Sequence, residues 1–282
     1  MASLINIPNG CTDDPRKREL CLLCLSTSQC HYQNNYKEHK DSYATVFLLL
    51  SYFHIICKDV NKGLIVVIVF LEAVPEPVAF YPLNARYKAA EKENRQPEGI
   101  LGDVVITDGP YNEPGGAYMF YGTVSSYIEF PNRGGLDTRL SITLMCCVQP
   151  SGGQYIGPLF NYGDSERVGM WIVEGHLGFQ IGKRYSVESR RIRKTFDVLP
   201  EGKWVHVAAS YDHNTGISSL YINGHLRISV YGGKRYPIDT TARKVRMGAI
   251  EHYSFKGKIA EMKVYDVALN EAQIQTSIRQ GS

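Results

Sequence analysis

From residue 78 onward, apolar and polar residues alternate with the period of two that belongs to β-strands on a half-buried sheet. The pattern is clearest between Gly202 and Gly224, in GKWVHVAASYDHNTGISSLYING. Val205, Val207, Ala209 and Tyr211 share one face there, and Trp204, His206, Ala208 and Ser210 share the other. Asp212 to Gly216 then interrupts with residues that bond their own backbone and accept left-handed conformations. Ser219-Leu220-Tyr221-Ile222 predicts a return strand, Asn223-Gly224 a two-residue hairpin turn, and His225 to Val230 a third strand. An antiparallel meander follows from this stretch alone.

The same texture runs through the rest of the region. Strands are predicted at Val78–Leu83, Gly116–Phe120, Ser126–Phe130, Leu140–Gln149, Leu159–Tyr162, Gly169–Val173, Leu177–Ile181, Lys244–Met247 and Gly257–Tyr265. Glu174-Gly175-His176 makes a tight turn, and the charged residues 86–98 form a surface loop. Only the last dozen residues carry a helical pattern, with Asn270 and Gln273 spaced as a capping box. Many short strands and a single terminal helix predict an all-β sandwich or jelly roll over residues 78–282.

Residues 1–77 differ. Residues 1–42 show no sustained period, and two apolar runs follow, Tyr43–Cys57 and Leu64–Leu71, split by Lys58-Asp59-Val60-Asn61-Lys62-Gly63. Neither reaches the roughly 20 apolar residues of a membrane-spanning helix. The second has the size of a signal-peptide core, with Lys58 and Lys62 before it and Ala73 and Ala79 after it. Residues 43–71 are therefore expected to target or tether the chain, with buried helices as the alternative, and Pro75-Glu76-Pro77 to mark the boundary.

Charge and cysteines narrow the function. Residues 1–77 hold 7 Lys/Arg against 8 Asp/Glu, and residues 78–282 hold 24 against 20, so the net +3 is too small to imply nucleic acid. Cys11, Cys21, Cys24, Cys30 and Cys57 precede the β region. A zinc site completed by His31 or His39 is one reading of them, and a leader whose cysteines do nothing together is the other. Cys146 and Cys147 are adjacent, so in a strand they point to opposite faces and form no bond with each other.

Taken in order, the segments of the β region resemble the laminin-G-like, concanavalin A-like jelly-roll family. Tyr81-Pro82-Leu83-Asn84 is similar to its opening strand. Gly115 to Phe120, followed by Tyr127-Ile128-Glu129-Phe130-Pro131, is similar to its alanine–aromatic and tyrosine–apolar–glutamate segment. Leu140 to Pro150 resembles the central strand. Gly202 to Ala208 with Leu220 to Gly224 carries the most specific signature, and Phe255 to Glu261 resembles the closing strand. The chain departs from the family where Cys147 stands for a usual Trp, where Ala260-Glu261 replaces an acidic pair, and where Ala249-Ile250-Glu251-His252 replaces a pentraxin-like calcium run.

The resemblance implies a recognition domain. No alternating carboxylate pair of the glycosidase kind is present, so an enzyme is the least favoured reading. Asp108 and Glu261 are the two carboxylates the resemblance would offer to Ca²⁺, against a turn-capping Asp108 and a hydrogen-bonded Glu261. Between Gly182 and Asp197, Lys183, Arg184, Arg190, Arg191, Arg193 and Lys194 face only Glu188 and Asp197, a local +4 suited to sulfated glycans or to solubility alone. Tyr253 lies in a loop where its ring could stack on a sugar, and His206 reads as a semi-buried structural histidine. The expected function is a non-catalytic extracellular or cell-surface module that binds a glycan, a glycosaminoglycan or a protein. An adhesion domain with a purely protein partner is the alternative.

Overall fold

In the computed structural model, the described residues are 4–5, 53–60, 63–70 and 73–281, apart from 153–155, 164–167, 184–188, 193–194, 233–234 and 241–243. The chain divides into two compact units, Met1–Ala73 and Val74–Ser282. In the first unit β1 (Leu4–Ile5), β2 (Phe53–Val60) and β3 (Gly63–Phe70) form a three-stranded antiparallel sheet. The apolar runs expected as a leader or as helices thus lie in part on a β-hairpin, with Phe53 paired to Phe70 and Val60 to Gly63. Valine and isoleucine, stiff at their branched Cβ, suit that conformation. Among the described residues no helix is long and apolar enough to cross a membrane. Cys11, Cys21, Cys24, Cys30, His31 and His39, offered as zinc ligands, lie outside the described residues.

The second unit is a two-sheet sandwich. Its strands are β4 (Ala79–Tyr81), β5 (Ile100–Leu101), β6 (Val104–Thr107), β7 (Ala117–Tyr121), β8 (Ile128–Phe130), β9 (Ile142–Pro150), β10 (Gly157–Tyr162), β11 (Val168–Val173), β12 (His176–Gly182), β13 (Ser189–Ile192), β14 (Val205–Asp212), β15 (Ile217–Ile222), β16 (His225–Tyr231), β17 (Val245–Met247), β18 (Ala249–Ile250), β19 (Tyr253–Ser254) and β20 (Lys256–Tyr265). One sheet has seven strands in the order β13-β12-β11-β10-β17-β8-β5, the other has eight, β16-β15-β14-β9-β20-β7-β6 with β4 also paired to β20, and among the described residues β18 and β19 pair only with each other. The predicted turn at Asn223-Gly224 forms with both residues at positive φ, 51° and 77°, the hairpin geometry those residue types favour.

The alternation in sequence becomes the two faces of each sheet. Val205, Val207, Ala209 and Tyr211 enter the main core, as does Cys146, whereas Cys147 faces away from it. Between the sheets lies a chain of rings: Tyr81 and Phe130 at 4.2 Å, Phe130 and Phe160 at 6.1 Å, Phe160 and Tyr162 at 5.8 Å. The buried phenols still find acceptors, Tyr162 donating to the Leu136 carbonyl at 2.9 Å and Tyr81 to that of Pro97 at 3.3 Å. Burial raises the pKa of both.

Helix α1 (Glu271–Gly281) closes the chain. Its capping box forms in both directions, Gln273 N–H to Asn270 Oδ1 at 3.0 Å and Asn270 N–H to Gln273 Oε1 at 3.1 Å. Ile274 packs with Met145, Ala208, Tyr221, Tyr265 and Leu269, so α1 covers part of the outer face of the eight-stranded sheet. Lys263 Nζ donates to the Ser277 carbonyl at 2.9 Å and holds the helix down.

The ring chain sets a testable expectation. Phe130→Ala removes a fully buried ring and lowers the unfolding free energy by about 3–5 kcal/mol. Val124→Ala, at an exposed position, changes it by less than about 0.5 kcal/mol. Denaturant unfolding of the two variants checks the difference.

Candidate functional site

With the core side filled by apolar groups, chemistry is left to the two outer faces. On the seven-stranded sheet the register sets one polar row across six strands: Glu129 beside Arg246, Arg246 beside Asn161, Asn161 beside Gly169, Gly169 beside Gln180, and Gln180 beside Arg191. Arg246 Nε donates to Glu129 Oε2 at 2.7 Å, and its guanidinium lies 4.5 Å from the Tyr127 ring centroid. Lys244 Nζ reaches the same carboxylate oxygen at 3.5 Å. Two cations thus share one carboxylate at half-buried positions, a directional set of charge-assisted bonds.

An aromatic pair stands on the same face. Trp171, across from Gly178, meets Tyr253 edge to face with ring centroids 5.7 Å apart. Trp171 is buried and Tyr253 half-buried, so the indole fixes the phenol and the phenol offers the accessible surface. The Trp171 Nε1–H is enclosed, with no hydrogen-bond partner among the described residues. Gly169 is required beside it, because a Cβ there would lie 2.7 Å from Asn161 Oδ1 and 2.9 Å from Trp171 Nε1. A flat ring and neighbouring cations are components that recognise a polar ring carrying hydroxyl or acidic groups.

The outer face of the eight-stranded sheet carries a different set. Cys147 lies between His206 and Ala260 across the strands. Trp204 packs on the small patch that Cys147, Ala117 and Ala260 form. A bulge between Ala260 and Lys263 holds Glu261 at φ 56° and turns its carboxylate to the Cys147 thiol, which donates to Oε2 at 3.7 Å. Burial, then the Glu261 charge, push the Cys147 thiol well up, and burial raises Glu261 against the pull of Lys263. His206 is half-buried, but its ring Nδ1 is enclosed with no partner among the described residues. Burial and the Lys263 charge lower its pKa to about 3. A protonated thiol beside a neutral imidazole is not an activated nucleophile.

The residues singled out in the sequence are scattered. Tyr253 joins the aromatic pair, and β13 brings Arg190 and Arg191 into register with Ile181 and Gln180. Lys183 forms an isolated bridge with Ile238. Arg184, Arg193 and Lys194 lie outside the described residues. Asp108 is exposed in the loop after β6, and Glu261 sits in the bulge bonded to Cys147. Among the described residues no group of three or more His, Cys, Asp or Glu is arranged to hold a metal ion. Sequence reasoning missed Trp171, Tyr127, Glu129, Lys244 and Arg246 as a group. They come from three separate strands and the residues just before two of them, and only the register unites them.

Comparison with known proteins agrees with this architecture. Residues 122–275, more than half of the chain, match the family described as the concanavalin A-like lectin/glucanases superfamily. No curated protein matches the sequence. Among solved structures, domain 4 of AbnA, a GH43 extracellular arabinanase from Geobacillus stearothermophilus in complex with arabinotriose, is 23% identical with a TM-score of 0.57, over 71% of this chain and 97% of that one. The ligand-binding domain of botulinum neurotoxin serotype D in complex with N-acetylneuraminic acid is 13% identical with a TM-score of 0.58, over 72% of this chain and 50% of that one. The serotype G binding domain gives 13% and 0.57, over 73% and 51%. This chain spans about half the length of the toxin domains. At these identities the likeness is one of fold.

The enclosed imidazole has a measurable consequence. The folded pKa of His206, about 3, lies below its ordinary 6.5, so the unfolded chain takes up the proton first as pH falls. The stability that neutral His206 permits is present above about pH 6.5 and lost toward pH 3, at up to about 1.4 kcal/mol per pH unit. His206→Asn removes that slope, and urea unfolding between pH 7 and about pH 4 checks it. Equal slopes in the two proteins would contradict the assignment.

Proposed function

We propose that this chain, which belongs to the concanavalin A-like lectin/glucanases superfamily, is a non-catalytic module that recognises acidic glycans. The observation that carries the reading is the composite face on the seven-stranded sheet. There the Trp171–Tyr253 pair stands on the same face as the Arg246–Glu129–Lys244 cluster, with Gln180 buried beneath. Tyr253 supplies the apolar platform for a sugar ring. Arg246, already oriented by Glu129 and Tyr127, offers its remaining N–H donors to a carboxylate or sulfate. β13, which carries Arg190 and Arg191, is the end strand of the same sheet.

The roles follow from how each group is held. Trp171 and Gly169 keep the platform in place, Gln180 lies in register between them and β13, and no bond is made or broken. Two glycan-complexed structures of the same fold, one with arabinotriose and one with N-acetylneuraminic acid, support a sugar as ligand class. The proposal puts the domain outside the cell or on its surface, where acidic glycans are displayed.

A glycan array and a heparin column test this on the full chain. The expected result is retention of sulfated or sialylated glycans, weakened by about tenfold in Tyr253→Ala and in Arg246→Gln, a loss of about 1.4 kcal/mol. Both variants should melt as the parent does. Elution from heparin with a neutral control, together with an empty array and a protein captured by cross-linking, would replace this reading with a purely protein partner.

A further inference from the structure

Two segments at opposite ends of the sandwich are of opposite charge in sequence. Residues 96–132 contain five carboxylates, Glu98, Asp103, Asp108, Glu113 and Glu129, and no Lys, Arg or His. They include β5 and β6, the end strands of the seven- and eight-stranded sheets, which are joined by Gly102 and Asp103. One acidic segment therefore closes both sheets at that end. At the far end of the eight-stranded sheet lies β16, within residues 213–238, which contain three Lys/Arg and no Asp or Glu. The far end of the seven-stranded sheet is β13, with Arg190 and Arg191.

Both ends are also apolar and open. Ile100, Val105 and Ile106 are 54%, 47% and 39% exposed, and Leu226, Val230 and Tyr231 on β16 are 44%, 39% and 68% exposed. Neither β6 nor β16 has a strand on its outer side among the described residues. Apart from its shortness, β6 carries none of the devices that protect an edge: no Lys, no Pro and no register shift against β7. Two β6 strands paired antiparallel about Val105 and Ile106 would set Asp103 opposite Asp108 twice, and like charges placed so repel. The complementary surface is the other end of the same molecule. Arg227, exposed and paired at 3.5 Å with an exposed Asp197, and exposed Arg235 lie there.

We propose that copies of this chain associate head to tail, the acidic β5–β6 edge of one against the basic β16 edge of the next. Such a heterologous contact builds rings or open filaments rather than twofold dimers. It extends the sheets across the junction and sets glycan-recognition faces in a row, which multiplies weak binding by avidity. The association stands independently of the glycan reading.

Sedimentation velocity on the full chain tests it with two variants, Asp103→Lys/Asp108→Lys and Arg227→Glu/Arg235→Glu. The parent is expected to form concentration-dependent oligomers at low salt that dissociate as salt rises, since screening shortens from about 10 Å at 0.1 M to about 3 Å at 1 M. Each variant alone should associate about a hundredfold more weakly. Mixed, the two should associate again in alternation, because one then has two basic edges and the other two acidic ones. That outcome also shows that both variants fold. A parent that stays monomeric at low salt overturns the proposal, as do variants that oligomerise like the parent or whose mixture stays monomeric while circular dichroism shows both folded.

Discussion

The pairing of β9 between β14 and β20 is the constraint on which the sandwich depends. Ile142 to Val148 are buried on both faces of that strand. Its inward side chains, Ile142, Leu144, Cys146 and Val148, join the core. Its outward ones divide between two structures, Met145 beneath helix α1 and Cys147 beneath Trp204. A slip of one residue would carry Cys147 and Thr143 inward and expose the apolar set, so the register admits one solution. With β9 fixed, β14 places His206 against Cys147 and β20 places its bulge at Glu261.

From that arrangement the two outer faces take different work. The eight-stranded sheet spends its outer face on stability: α1 lies over Met145 and Ala208, Lys263 anchors Ser277, and Cys147, Glu261 and His206 fill an enclosed patch. The seven-stranded sheet keeps half-exposed cations, a carboxylate and an aromatic pair on its outer face. The former has the more perturbed ionisable groups, yet their shifts come first from burial, which holds them neutral and unreactive. The latter has the accessible groups a ligand needs.

Much of the fold was legible because strands with one buried face must alternate. The meander from Val205 to Tyr231, the turn at Asn223-Gly224, the opposed Cys146 and Cys147, and the Asn270–Gln273 cap were all local patterns. The β5–β6 segment was not, because an end strand with Val104-Val105-Ile106 in sequence shows no alternation. The bulge at Glu261 left no trace in residue type, so the sequence offered its carboxylate to Ca²⁺ or to a hydrogen bond without pointing to the buried Cys147 thiol as the donor. The site itself was hidden by sequence distance. Trp171 and Tyr253 belong to different strands, and Glu129 and Arg246 are 117 positions apart.

The chain has two tryptophans, one on the outer face of each sheet, Trp171 beside Tyr253 and Trp204 beside Cys147. Fluorescence titration of the full chain with a sulfated oligosaccharide, in Trp204→Phe and in Trp171→Phe, therefore tests most directly which face recognises the ligand. The account predicts a saturable change in Trp171 emission and none in Trp204. A change confined to Trp204, or saturable binding with Trp171 silent, would contradict it.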